Sequence, residues 1–257
     1  GAQRTHNPTP DAGDTLRQKG RIHSNCNCNR RRILIVMIFD LTHTDEFPDP
    51  RYGNKSGFYA VGGEITPERL AKAYPMGIFP YYAYKLERIC WWAPHERFVI
   101  RPSEIHISHS MQNMMNKGRY HCTIGQAFDS VLTGCACIDG RIDEDNAWLG
   151  PELIDTWMEL HDMGHAQSVE VWEGEDLVGG LYGFVCGSCF LGDSMFSAVP
   201  SASKLALIHL ARHMETQGGS FIDCQLETPH LKSMGARYIS YEEFLKGTLS
   251  EHKIEWK

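Results

Sequence analysis

Asp223 and Gln225 flank Cys224 directly after an apolar pair, Phe221 and Ile222. Read as one strand over 221–225, the side chains alternate, so Asp223 and Gln225 share a face and Cys224 takes the other. An acid beside an amide can hold and orient an amine by hydrogen bonds, with no covalent nucleophile. Cys224, turned away, is expected to be a buried structural thiol. In isolation the pentapeptide fits better a strand end whose polar side chains are capped by backbone. What argues for chemistry is the chain around it.

The chain has 257 residues, 42% hydrophobic and 22% charged, enough for one large domain or two unequal ones around a buried core. A formal charge of −7 argues against a surface coated in basic residues for nucleic acid, though not against a local basic groove. The charge is unevenly placed. No Lys or Arg stands between Arg141 and Lys204, a stretch that holds Asp143, Glu144, Asp145, Glu170, Asp176 and Asp193 among other acids. Upstream lie Lys72, Lys85, Arg88, Arg97, Arg101, Lys117 and Arg119. Most of the acids are expected on a solvated face; the sharper expectation is a basic side for an anionic ligand and an acidic side for a cationic one. Nine cysteines, without a secretory signal, read as reduced thiols. Cys26/Cys28 and Cys135/Cys137 are too closely spaced for a zinc knuckle and Cys186/Cys189 has no second pair, so no metal site is expected.

Residues 1–36 read as a disordered tail, 37–96 as a small N-terminal domain and 97–257 as the larger domain. The run 33–39 follows three arginines but is too short to cross a membrane and reads as a buried strand. Thr66 with Pro67 predicts a helix N-terminus, and that helix stops at Pro75 and Gly77. Trp91 and Trp92 are expected in the core, whereas Tyr81, directly after Pro80, is the better platform for stacking a base. Helices are predicted over 108–116, 128–135 and 151–163. His161 and His165 fall near a helix end at Gly164, where solvation or capping is expected rather than metal binding. Strands are predicted over 98–100, 168–172, 177–185 and 189–196, with a tight turn at 173–176. A helix opens at 200–203 with Leu205, Leu207, Ile208, Leu210 and Ala211 on its buried face. The strand 221–225, a short helix over 230–234, a strand at 238–239 and a last helix over 242–246 follow.

Antiparallel strands, a helix, then a strand against which it packs resemble the layout of GNAT-type acyltransferases, making the fold class α+β: a GNAT-like domain preceded by a small α/β domain. Those enzymes bind CoA phosphates with a glycine-rich turn at the helix start. Here that place reads Ser197-Ala198-Val199-Pro200-Ser201-Ala202-Ser203, with no glycine to let backbone approach a pyrophosphate. The acyl donor is therefore expected not to be CoA.

Several motifs in fixed order resemble the leucyl/phenylalanyl-tRNA–protein transferase family: Gly77-Ile78-Phe79-Pro80, Trp91-Trp92-Ala93-Pro94, His106-Ile107-Ser108, Gly179-Gly180-Leu181-Tyr182-Gly183, Asp193-Ser194-Met195-Phe196-Ser197, Ala202-Ser203-Lys204 and Ile222-Asp223-Cys224-Gln225. The resemblance spans about 39–249. It implies a cytoplasmic, monomeric enzyme that moves Leu or Phe, and by pocket shape Met, from aminoacyl-tRNA to proteins beginning with Arg or Lys, marking them for degradation under the N-end rule. No cofactor or membrane is implied, because the ester is already activated. By resemblance, Gln225 accepts a hydrogen bond from the attacking amine and Asp223 orients or polarises Gln225. Asp193, where relatives usually carry Glu, is expected near the acceptor's basic residue, one methylene further back. Leu181, Phe190, Met195, Leu207 and Ile222 are expected to line an apolar pocket for the donor side chain, although core packing explains each of them as well. Tyr81, where relatives often have Trp, and Trp148 are expected at the tRNA 3′ end. The basic residues from Lys85 to Arg119 are candidates for phosphate contact. Two alternatives remain: a Fem-type ligase, for which this chain is too short to carry two such domains and a coiled-coil arm, and a non-catalytic binder of tRNA 3′ ends.

Overall fold

Alternation along the long central strands decides the architecture. In the strands β7 (Ala166–Glu173) and β8 (Asp176–Cys186), Val169, Val171, Leu181 and Val185 join one apolar cluster, while Tyr182 and Phe184 join the other. Both faces of the sheet are therefore buried, each against its own layer. A computed structural model describes residues 38–54, 57–82, 89–137, 149 and 151–256.

The described elements run β1 (Phe39–Asp40), β2 (Phe58–Val61), α1 (Pro67–Ala73), β3 (Phe79–Tyr82), β4 (Ile89–Trp92), β5 (Glu96–Ile100), α2 (His109–Asn116), β6 (His121–Ile124), α3 (Phe128–Cys137), α4 (Pro151–Asp162), β7, β8, β9 (Cys189–Ser197), α5 (Ala202–Thr216), β10 (Phe221–Asp223), α6 (Pro229–Ser233), β11 (Arg237–Ser240) and α7 (Tyr241–Thr248). They form an α+β fold with two sheets, a four-stranded one ordered β1-β2-β4-β3 and a seven-stranded one ordered β11-β5-β10-β9-β8-β7-β6. In the larger sheet β7, β8 and β9 are antiparallel, and the chain crosses through α5 to lay β10 parallel to β9. Helix α5 packs on one face with Leu205, Leu207, Ile208 and Leu210 inward. Helices α3 and α4 and the smaller sheet contribute to the cluster on the other. No helix among the described residues is long and apolar enough to cross a membrane.

Local chemistry explains the boundaries. The Thr66 hydroxyl accepts the Arg69 N–H and Pro67 fills the first position of α1, the N-terminus expected from sequence. A 3₁₀ turn over Tyr74–Met76 then ends at Gly77, whose φ of 74° lies in the left-handed region. Trp91 is fully buried and its indole N–H reaches the Gly62 carbonyl (2.9 Å). Three differences from the sequence reading stand out. Strand β6 was not expected. Of the buried strand expected over 33–39, the described part is Ile38 and Phe39: Phe39 opens the short β1, half-buried, and Ile38 lies outside it and is exposed. The strand expected over 221–225 stops at Asp223. The tail 1–36 and Trp148 lie outside the described residues.

Candidate functional site

The end of β10 is where the sequence reading needs correction. Gln225 has a φ of 57°, so the chain leaves the strand and the expected alternation stops. The Leu226 N–H closes a three-residue turn onto the Cys224 carbonyl (2.6 Å). A left-handed conformation costs an L-residue roughly 1–2 kcal/mol, and here the Asp223 carboxylate helps hold it by accepting the Gln225 backbone N–H at 3.0 Å. Asp223 thus touches Gln225 through its main chain. The side-chain amide goes elsewhere: its Nε2 donates to Asp193 Oδ1 (3.3 Å). Cys224 is half-buried, burial pushes its thiol pKa up, and its own N–H donates to the Phe98 carbonyl.

Asp223 is fully enclosed and paired with Arg97, itself 1% exposed. Asp223 lies opposite Val99 and Arg97 stands two residues along β5, a diagonal neighbour on the same face. Both Nε (3.1 Å) and Nη2 of Arg97 donate to Asp223 Oδ2, and Nη1 donates to the Gly77 carbonyl (2.7 Å). The guanidinium also lies over the rings of Phe244 and Phe79. Arg97 was expected among the phosphate contacts; buried and committed to Asp223, it cannot serve as one. Nearby, the Thr248 and Tyr241 hydroxyls donate to the carbonyls of Pro75 and Met76 (2.8 Å each), so side chains of the larger sheet's layer fix the turn that carries Tyr74.

Asp193 occupies a different environment. Between the Cα pairs Tyr182–Ser194 and Gly183–Gly192 the register shifts, leaving Asp193 as the extra residue of a β-bulge. A Cβ on Gly183 would stand 2.2 Å from the Leu191 carbonyl oxygen, so only glycine fits opposite the bulge. The half-buried Asp193 carboxylate accepts from Tyr74 Oη (2.7 Å), Tyr182 Oη (3.0 Å) and Gln225 Nε2. Burial raises its pKa, and the three hydrogen bonds oppose that rise without cancelling it. The two buried phenols are pushed well above their ordinary range, first by burial and then by the Asp193 charge, so they stay protonated donors. Tyr74 stacks on Phe184 (5.0 Å), and Trp157 meets Tyr74 and Tyr182 edge-on, which holds both hydroxyls in place.

The remaining sequence candidates divide. Leu181, Phe190, Leu207 and Ile222 are buried in the apolar cluster beneath α5, with Met195 packed against it. Leu181 pairs with Met195 and Phe190 with Ile222 across adjacent strands. Tyr81 is 46% exposed on β3. Lys85, Arg88 and Trp148 lie outside the described residues. Arg101 pairs with Glu243 and Arg119 with Glu173. His161 donates to the Ala166 carbonyl and stacks on Phe128. Sequence reasoning missed Tyr74, Tyr182 and the role of Arg97. Tyr182 was inside a quoted motif, and a lone Arg in the apolar run of β5 signalled a buried partner.

A carboxylate that accepts from two phenols and an amide is an arrangement able to orient a charged group by hydrogen bonds, with no nucleophile of its own. The sequence profile described as Leucyl/phenylalanyl-tRNA protein transferase matches residues 99–248, and that of the family's N-terminal domain matches residues 63–95. The leucyl/phenylalanyl-tRNA–protein transferase of Legionella pneumophila (strain Corby) is 43% identical over 209 residues, covering 81% of this chain and 91% of that one. The namesake from Nitrosomonas eutropha is 46% identical over 191 residues, covering 74% and 80%. Among solved structures, L-PGS from Bacillus licheniformis shares 15% identity over 68% of this chain and 55% of that one, at a TM-score of 0.38, too loose to carry weight. The chain belongs to the leucyl/phenylalanyl-tRNA–protein transferase family, enzymes that transfer an aminoacyl group from tRNA to protein.

Proposed function

We propose that this enzyme moves Leu or Phe, and also Met, from aminoacyl-tRNA to the α-amine of proteins that begin with Arg or Lys, in the cytoplasm, as a monomer, and so marks them for N-end rule degradation. The observation that carries the acceptor choice is Asp193. Its three hydrogen-bond partners are all neutral, so its negative charge is uncompensated and available to the acceptor's guanidinium or ammonium. Having Asp where relatives usually carry Glu sets that charge one methylene deeper and favours the longer reach of Arg.

In the reaction, the acceptor's neutral α-amine attacks the ester carbonyl. A C–N amide bond forms, the C–O bond to the terminal ribose breaks, and the amine's proton ends on the released ribose oxygen. An α-amino pKa of roughly 8 leaves a usable neutral fraction near neutrality. Gln225 Oε1 accepts an N–H of the incoming amine and aims its lone pair; being a weak base, it acts by orientation. Asp223, locked to Arg97, acts through the Gln225 main chain. The donor side chain enters among Leu181, Phe190, Met195, Leu207 and Ile222, while Tyr81 and Trp148 receive the tRNA 3′ end. Residues 37–96 serve as a small N-terminal domain that supplies Tyr74 and Tyr81, and 97–257 is the GNAT-like catalytic domain.

The deciding experiment compares wild type and Gln225→Ala for transfer of labelled Leu or Phe from charged tRNA to peptides starting with Arg, Lys or Ala. Wild type should modify the Arg and Lys peptides only. The variant should keep binding tRNA and lose transfer. Unchanged transfer would remove Gln225 from the mechanism, and tRNA binding with no transfer by wild type would favour a silent 3′-end binder.

A further inference from the structure

The family profile ends at residue 248, yet the segment beyond it is tied firmly to the catalytic layer. At the last turn of α5, His213 Nε2 donates to the Glu255 carbonyl (2.7 Å). Gln217 accepts the Glu255 N–H (2.7 Å) and donates its own amide to the same residue's carbonyl (3.0 Å). His252 donates to the Gln217 carbonyl (2.6 Å), and Ile254 is 5% exposed. These bonds form a strap over 252–256, with Trp256 turned toward the interior. Its ring lies 5.7 Å from Phe190 and 5.4 Å from His213, centroid to centroid.

Phe190 is fully buried, and it touches the bulge as well as the strap. Its Cε1 would stand 2.7 Å from a Cβ on Gly183 and 3.9 Å from one on Gly192, the two glycines that face each other where the register shifts. One ring therefore links Trp256 to the backbone that projects Asp193, and that same ring belongs to the proposed donor pocket. Interiors packed this closely transmit the loss of a neighbour as a shift of the ring beside it.

We propose that Trp256 is a positioning residue: it sets how far Phe190 reaches into the donor side-chain pocket and so tunes which aminoacyl group the enzyme prefers. The idea rests on the proposed donor pocket. Removing the indole lets the Phe190 ring retreat and enlarges the space for the donor, which favours Phe over Leu. The test measures kcat/KM for Leu-tRNA and Phe-tRNA on one preparation of each variant, so the active fraction cancels in the ratio. Trp256→Ala should move the ratio toward Phe by about threefold or more, mainly through KM, a modest part of what one methylene commands in an apolar pocket. Trp256→Phe should restore it to near the wild-type value. Gln217→Ala, which loosens the strap without touching the core, should move it the same way by less and remains informative if Trp256→Ala folds poorly. A ratio unchanged in both Trp256→Ala and Gln217→Ala, with wild type active, would overturn the proposal and leave the donor reading standing. A wild type that transfers neither Leu nor Phe would overturn both.

Discussion

Asp193 and Asp223 are both carboxylates at one site, and the contrast lies in their partners. Asp223 faces a guanidinium and a backbone N–H in the interior, so its charge is spent inside the fold. Asp193 faces two phenols and an amide, which orient a charge but do not neutralise it. Formal charge is the same in both. In the proposed division of roles, what separates a structural acid from a binding acid is whether the nearest donors carry a compensating charge.

The largest effect expected is on stability. Asp223→Asn leaves Arg97 buried without its counter-charge and should cost about 3–5 kcal/mol, read as a lower urea midpoint. That is a large share of the 5–15 kcal/mol typical of a folded domain, roughly. Asp193→Asn should instead keep the fold and lower kcat/KM for an Arg-initiated peptide by about 10- to 100-fold, the loss of a charged hydrogen bond of roughly 1.5–3 kcal/mol. If these two outcomes are exchanged, the division of roles is wrong.

The pH dependence separates the two acids as well. The folded-state pKa of Asp193 is raised, so between its ordinary value of 3.8 and its folded value the native protein holds a proton that the unfolded chain has released. The group's contribution to stability therefore falls as pH rises through that window. Relative to wild type, Asp193→Asn should gain stability as pH increases from about 4 upward, which urea midpoints across the range will show. Tyr74→Phe removes a donor to the ionised form and should carry the acid limb of the activity profile to higher pH.

Smaller effects sharpen the local picture. Gln225→Gly accepts the left-handed backbone without strain, so its stability should equal wild type or exceed it by up to about 1 kcal/mol while transfer is lost. Cys224→Ser should leave transfer within about twofold, since the thiol is turned to the Ile222 carbonyl.

Much of this was legible in the sequence because it rests on local rules. The capped start of α1 and its glycine stop, the tight turn joining β7 to β8, and the amphipathic α5 that follows the antiparallel strands all follow from short-range chemistry. What was not legible depends on pairings distant in sequence. The alternation expected through Gln225 was cut short by a turn stabilised from Asp223. The bulge at Asp193 depends on register with β8, which turned the carboxylate toward Tyr74 from a distant helix end. Arg97 read as one more surface cation until β5 and β10 were laid side by side. In each case the residue type was visible, and its partner was not.

The most direct measurement is the preference of Asp193→Asn among peptides beginning with Arg, Lys and Ala, with Asp223→Asn carried alongside. If the uncompensated acid selects the acceptor, the folded Asp193→Asn enzyme loses most of its advantage for Arg and Lys over Ala. An Asp193→Asn enzyme that still discriminates as wild type does would contradict that assignment.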